Sequence, residues 1–229
     1  MNGLSEAERI MGDKFFGPED FRGLGISFSR QELKEIKFAW PRGFTGGILK
    51  AKSPLTPEKR IFQDHFLWMS DRAIINEKPA LTIRSLSEME FPGERQPKIY
   101  HFPKRNKQLY EIYDFGTESC RFTWYLSPLF VPERFAGESY KRQLQAIPES
   151  YFVLLAVEEV YKSFIYFIKT GKRINEGITA RCADSPMAGY NANVGNFISQ
   201  GIGITCSPSD FYSSSISIAV SHKIACSSF

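Results

Sequence analysis

Cysteine is scarce in this sequence and histidine scarcer: the four cysteines stand at 120, 182, 206 and 226 with no Cys-x-x-Cys, and the three histidines at 65, 101 and 222. Thiols so far apart read as reduced, buried groups of a reducing compartment rather than a disulfide framework. Gly-x-Ser-x-Gly, His-Glu-x-x-His and the P-loop are all missing, and Gly23-Leu24-Gly25 lacks the third glycine of a nucleotide-binding turn. The most apolar run, 151–168, is broken by Glu158, Glu159 and Lys162, charges that are costly at a bilayer centre, so no membrane span is expected. The opening residues carry no apolar stretch behind a basic region, from which a cytoplasmic chain without a secretory signal is expected.

What is present suits an ordinary globular core: 229 residues, 42% hydrophobic, with a formal charge of +4. The charge is unevenly spread. Residues 30–60 hold eight Lys/Arg against three Glu, and residues 95–107 hold five basic groups and no acid. Two such regions can attract a polyanion, or simply keep a surface solvated.

The spacing predicts an α+β chain. A capping box, Ser29 to Glu32, precedes Leu33, Ile36 and Trp40 on one helix face. Thr56-Pro57 opens a second predicted helix with Ile61, Phe62, His65, Trp68 and Met69 on its inner side. Within it, Phe62-x-x-His65-Phe66 resembles the histidine segment of hot-dog-fold acyl-carrier dehydratases, but Leu67, Trp68 and Met69 replace the prolines and glycine of that pattern, and no membership is assigned. Residues 81–91 read as a strand. Residues 98–126 read as an antiparallel β-meander of three aromatic-rich strands, with turns at 104–107 and 116–119. In that register Asp114 faces Arg121, Trp124 lies on the core side, and His101, Tyr110 and Tyr125 share the other face.

Residues 138–146 are predicted helical. The run 151–168 reads either as one helix closed by Gly171 or as two strands, with length and capping favouring the helix. From 174 onward charge thins while Ser, Gly and Asn become abundant, giving a core of 1–173 and a β segment of 174–229 within one unit. Strands are expected at 178–182, 197–206 and 215–226, the last placing Ser215, Ser217, Ala219 and Ser221 on a face of small residues.

For function, the leading expectation is a non-catalytic binding protein, a subunit of a larger assembly that meets a protein partner or a second copy through 213–226. Lys104, Arg105 and Lys107, flanked by His101, Tyr110 and Tyr125, form a candidate contact for RNA or single-stranded DNA, because aromatic faces stack on any base while cations hold phosphates. The enzyme alternative is a hydrolase or transferase with Cys206 or Cys182 as nucleophile and His222 as base, oriented by Asp210 or Asp184. A third possibility is a structural protein without ligand. No cofactor is expected, and no metal: His222 and Cys226, four apart on a strand, are separated by roughly 13 Å, too far to share one zinc ion.

Overall fold

The computed structural model describes residues 3–24, 27–38, 40–41, 43–70, 81–102, 107–121 and 123–224. Its helices are α1 (Gly3–Met11), α2 (Arg30–Phe38), α3 (Gly46–Lys50), α4 (Ile61–Asp64), α5 (Ile83–Glu88), α6 (Leu109–Ile112), α7 (Tyr140–Ala146) and α8 (Ala156–Thr170). The strands are β1 (Phe15–Phe16), β2 (His65–Met69), β3 (Trp124–Pro128), β4 (Tyr151–Val153), β5 (Thr179–Arg181), β6 (Tyr190–Ile198), β7 (Gly201–Pro208), β8 (Ile216–Ile218) and β9 (Val220–His222). They form a five-stranded sheet in the order β1-β2-β3-β9-β4 and a four-stranded sheet in the order β7-β6-β5-β8. The α+β class and the sheet-rich C-terminal part therefore stand.

Helix α8 lies between the two sheets. Tyr161 and Tyr166 pack edge-on against Trp68 and Phe66 of the first sheet, while Phe164 and Phe167 pack against Phe197 of the second. Every residue from Ala156 to Tyr166 is buried as a result. The helix ends as the sequence predicts, at Gly171 in the left-handed conformation (φ 74°), where Gly171 N donates to Phe167 O at 2.7 Å. Its start is later than predicted, because Tyr151–Val153 forms the edge strand β4.

The C-terminal strand bends between the sheets. Residues 216–218 pair parallel to β5, and residues 220–222 insert between β3 and β4. Around the bend, Ala219 N donates to Arg181 O (2.9 Å), Leu154 N to Ala219 O (3.0 Å) and Ala183 N to Leu154 O (2.9 Å), a seam that stitches the two sheets. The small-residue row is consumed here: Ser217, Ala219 and Ser221 are buried within this chain, as are Ile216, Ile218 and Val220. Of the partner segment 213–226, the exposed described residues are Ser214, Ser215 and Lys223.

Three local expectations are corrected. Among the described residues of 98–126 the meander is absent apart from β3: Ile99 makes an isolated parallel bridge to Ile202, and 109–112 is helical. Glu111 accepts from Gln108 N at 2.7 Å, a box that starts α6, and Gly116 packs so tightly on this turn that an added Cβ would meet Tyr110 O at 1.8 Å. Arg121 accordingly pairs with Glu158 rather than Asp114. The second predicted helix stops after α4, and His65–Met69 becomes β2, because a continuous apolar run satisfies a strand buried on both faces as well as a helix. Residues 83–88 are helical, started by reciprocal bonds between Thr82 and Ser85.

Candidate functional site

The sheet register decides which side chains meet. His65 pairs with Pro128 on β3, Leu67 with Leu126, Leu126 with His222, and His222 with Tyr151. Because side chains alternate along a strand, His65, His222 and Tyr151 share the face turned away from α8, while Phe66, Trp68 and Tyr125 face the helix. Two of the three histidines in the sequence thus reach one place from opposite ends of the chain.

His65 is fully buried, with both ring nitrogens engaged. Its Nδ1 lies 2.5 Å from Asp64 Oδ1 and its Nε2 2.8 Å from the Tyr151 hydroxyl. A carboxylate is acceptor-only, so Nδ1 carries the proton toward Asp64, and in the neutral ring Nε2 then accepts from Tyr151. The Tyr151 hydroxyl keeps its proton well past neutrality: burial raises its pKa above the usual tyrosine range, the Asp64 charge adds to this, and Arg134 opposes it. Beyond Tyr151 stands His222, the two rings 5.1 Å apart, with His222 Nδ1 buried. Burial, then the neighbouring His65, holds its pKa below the ordinary histidine value.

Asp64 is the end of this chain that faces outward. Its carboxylate is 13% exposed and also accepts from Thr56 Oγ1. It forms part of the wall of a cleft of about 560 Å³, enclosed by residues 55–59 on one side and by the loop after β3 on the other. Pro128, Val131 and Pro132 supply apolar wall, Phe130 stands 61% exposed at the rim, Lys59 and Arg134 bring positive charge, and Glu58 and Glu133 bring negative charge beside Asp64. A volume of that size lies within the range of small-molecule sites.

The candidate residues named from sequence are dispersed. Cys182 is fully buried, donates to Ala180 O at 3.4 Å, and has its thiol pKa pushed far up by burial and by Asp184, the reverse of an activated nucleophile. Cys206 lies on β7 opposite Ala192 in the four-stranded sheet, whereas His222 lies in the five-stranded sheet against Tyr151. Asp184 accepts from Ala156 N at 2.5 Å and caps α8, and Asp210 is exposed in the turn after β7. The Cys/His arrangement is therefore not assembled by the fold. Cys226 lies outside the described residues, and among those described no group of three or more His, Cys, Asp or Glu is placed to hold a metal ion.

The nucleic-acid candidates divide in the same way. His101 and Lys107 are exposed, while Lys104 and Arg105 lie outside the described residues. Tyr110 is buried on α6 with its hydroxyl 3.5 Å from His101 Nε2. Tyr125 is fully buried between the sheet and α8, stacked on Trp68 at 4.0 Å, its hydroxyl donating to Glu158 Oε1 at 2.6 Å. Neither tyrosine offers a face to a base, and they form no common row. Their aromatic character serves the core.

Compared with protein-family models, with curated proteins and with solved structures, the chain matches none. Function rests on the site itself. Sequence reasoning placed His65 inward but gave it no role, since Tyr151 and His222 are distant in the chain and only sheet pairing joins them. The available signal was the neighbouring pair Asp64-His65 in a chain with three histidines.

Proposed function

We propose that this chain acts on a small molecule held in the cleft beside Asp64, with Asp64 as the group that takes and returns a proton. What supports this is one arrangement: a cleft carboxylate whose oxygen is 2.5 Å from a wholly buried histidine that is itself bound by a tyrosine hydroxyl. The Nδ1–H of His65 fixes the rotation of the carboxylate, and Thr56 holds the other oxygen, so the remaining lone pairs point in a set direction. Such positioning is what general acid–base chemistry requires, and it contributes about 10²- to 10⁴-fold in rate. His65 and Tyr151 are positioning residues; Asp64 is the one that touches substrate.

The earlier reading of an assembly subunit contacting single-stranded nucleic acid keeps, among the described residues, His101 and Lys107 but loses Tyr110 and Tyr125 as stacking surfaces. A purely structural staple tying residues 53–56 to the sheet is the rival for the Asp64 cluster. Wild-type protein and Asp64→Asn should be assayed on small aryl esters for hydrolysis and on small ketones for hydrogen exchange in D₂O. We expect turnover of at least one class, lowered about 10²-fold or more by Asp64→Asn with the circular dichroism unchanged. An inert wild type, or a rate that survives Asp64→Asn, rejects the proposal in favour of the staple.

A further inference from the structure

The lining of the same cleft specifies a ligand class, an inference that rests on the small-molecule reading above. Among the described residues Lys59 and Arg134 are exposed cleft-lining cations that make no ion pair, and they alternate with two exposed acids of the same lining, Glu58 and Glu133, so an anionic group must sit on the cations rather than anywhere in the cleft. The Arg134 guanidinium carbon sits over the Phe135 ring at 4.6 Å, a stacking that holds the head by its flat face and leaves its N–H edge available. Asp64 and Arg134 line the same cleft. The apolar wall, Pro128, Val131 and Pro132 with Phe130 at the rim, is shared with these two charges.

The geometry points to a small hydroxy acid with an apolar substituent: its carboxylate on Arg134 and Lys59, its hydroxyl donating to Asp64, and its aryl or alkyl group against Phe130 and the prolines. Each part is required by a different element. A guanidinium binds carboxylate in a planar two-bond fork. Asp64, acceptor-only when ionised, needs a donor. Phe130 recovers apolar contact only if the ligand covers it. A simple anion would leave Asp64 facing a like charge, and a simple hydrocarbon would leave both cations unused.

Phenyllactate carries all three groups; phenylpropanoate lacks the hydroxyl and phenyllactamide the charge. Binding of each should be measured by NMR titration to the wild type, Arg134→Gln and Asp64→Asn. We expect saturable phenyllactate binding, with each of the other two about tenfold weaker or more, as follows from losing one charge-assisted hydrogen bond. Arg134→Gln should weaken phenyllactate by a similar factor, and Asp64→Asn should narrow its advantage over phenylpropanoate. Both variants alter cleft side chains without removing core atoms. Absence of saturable binding, binding indifferent to Arg134→Gln, or an undiminished hydroxyl preference in Asp64→Asn overturns the ligand class. Turnover of uncharged esters through Asp64 without phenyllactate binding would leave proton transfer standing and sink this assignment; phenyllactate binding beside an inert reaction panel would do the opposite.

Discussion

Two polar clusters lie on opposite faces of the five-stranded sheet, and they differ in what they leave open. On the α8 side, Glu158 receives Arg121 through two bonds (2.7 and 2.8 Å), Tyr125 at 2.6 Å and Leu155 N at 2.8 Å, while Glu159 receives Lys162 at 2.8 Å and Asn175 at 3.0 Å. Both carboxylates are wholly buried, and Glu159 Oε2 meets Lys162 as an ion pair at 2.8 Å. On the other face, the Asp64–His65–Tyr151 chain ends at a partly exposed carboxylate in a cleft lined also by Lys59, Arg134, Glu58 and Glu133, of which the two cations make no ion pair among the described residues. Charges paired from within hold α8 between the sheets, whereas the Asp64–His65–Tyr151 chain is buried at its inner end and partly exposed at its outer one.

The sharpest way to break that contrast is to unpair the closed cluster. The Lys162 and Glu159 side chains are 2% and 0% exposed, so Lys162→Met leaves a carboxylate without its counter-charge in a region that cannot hydrate it. The expected loss is about 3–5 kcal/mol in urea unfolding. Replacing Glu159 by Leu in the same molecule should cost less than Lys162→Met alone, because no unpaired charge then remains. A Lys162→Met variant within 1 kcal/mol of wild type would mean that water reaches this cluster and that the two faces are not different in kind.

How much of this was legible in advance depends on range along the chain. Helix α2 was readable because its signals are local: Ser29 N donates to Glu32 and Glu32 N to Ser29, within one turn. Helix α8 was readable from its length and its closing glycine, and within it Lys162 pairs with Glu159. The meander failed because aromatics suit any buried position. Tyr110 and Tyr113 read as strand residues, whereas the Gln108–Glu111 box and the closeness of Gly116 turn the chain into a helix and a tight turn. His65–Met69 failed because five buried residues in a row carry no period. The cluster behind Asp64 was invisible for a third reason: its histidines and Tyr151 come from β2, β4 and β9, and no single-chain pattern encodes which strands become neighbours.

The next largest effect is a pH dependence at the start of α8. Burial raises the Asp184 pKa to about 6, with Glu158 and Glu118 adding to the rise and the bond from Ala156 N opposing it. In the unfolded chain an aspartate titrates near 3.9. Between those values the native state binds the extra proton, so stability is highest below the lower value and falls as pH rises through the upper one, by about 3 kcal/mol at most. Asp184→Asn keeps an oxygen for Ala156 N but cannot ionise. The stability of wild type relative to Asp184→Asn should therefore decline from pH 4 to pH 6 and flatten above. A constant difference across that window would show that Asp184 is hydrated at the helix terminus.

His222 adds a change of opposite direction. Its pKa is lowered in the folded state, so the unfolded chain binds its proton first and stability falls as pH drops below about 6.5. His222→Gln should remove that acid-side loss while leaving the Asp184 transition in place. Unfolding curves at pH 5 and 7.5 for the two variants separate the contributions, and a His222→Gln profile superimposable on wild type would place the ring in water.

The smallest expected effect bears most directly on the cleft. Tyr151→Phe keeps the ring against His222 and in the cluster with Leu55, Phe135 and Val220, and removes only the hydroxyl that binds His65 Nε2 at 2.8 Å. Loss of that neutral bond should cost about 1 kcal/mol, near the lower end for a buried acceptor left unsatisfied. If the cluster is merely a staple, nothing else should change. If Asp64 acts on a bound molecule, the unlatched His65 no longer fixes the carboxylate, and the maximal rate should fall several-fold with little change in the affinity for phenyllactate, which depends on Arg134. Comparing Tyr151→Phe with Arg134→Gln in one assay then separates positioning from binding: the first should act on rate and the second on affinity, and equal effects of both on affinity would mean that the buried half of the chain only shapes the cleft wall.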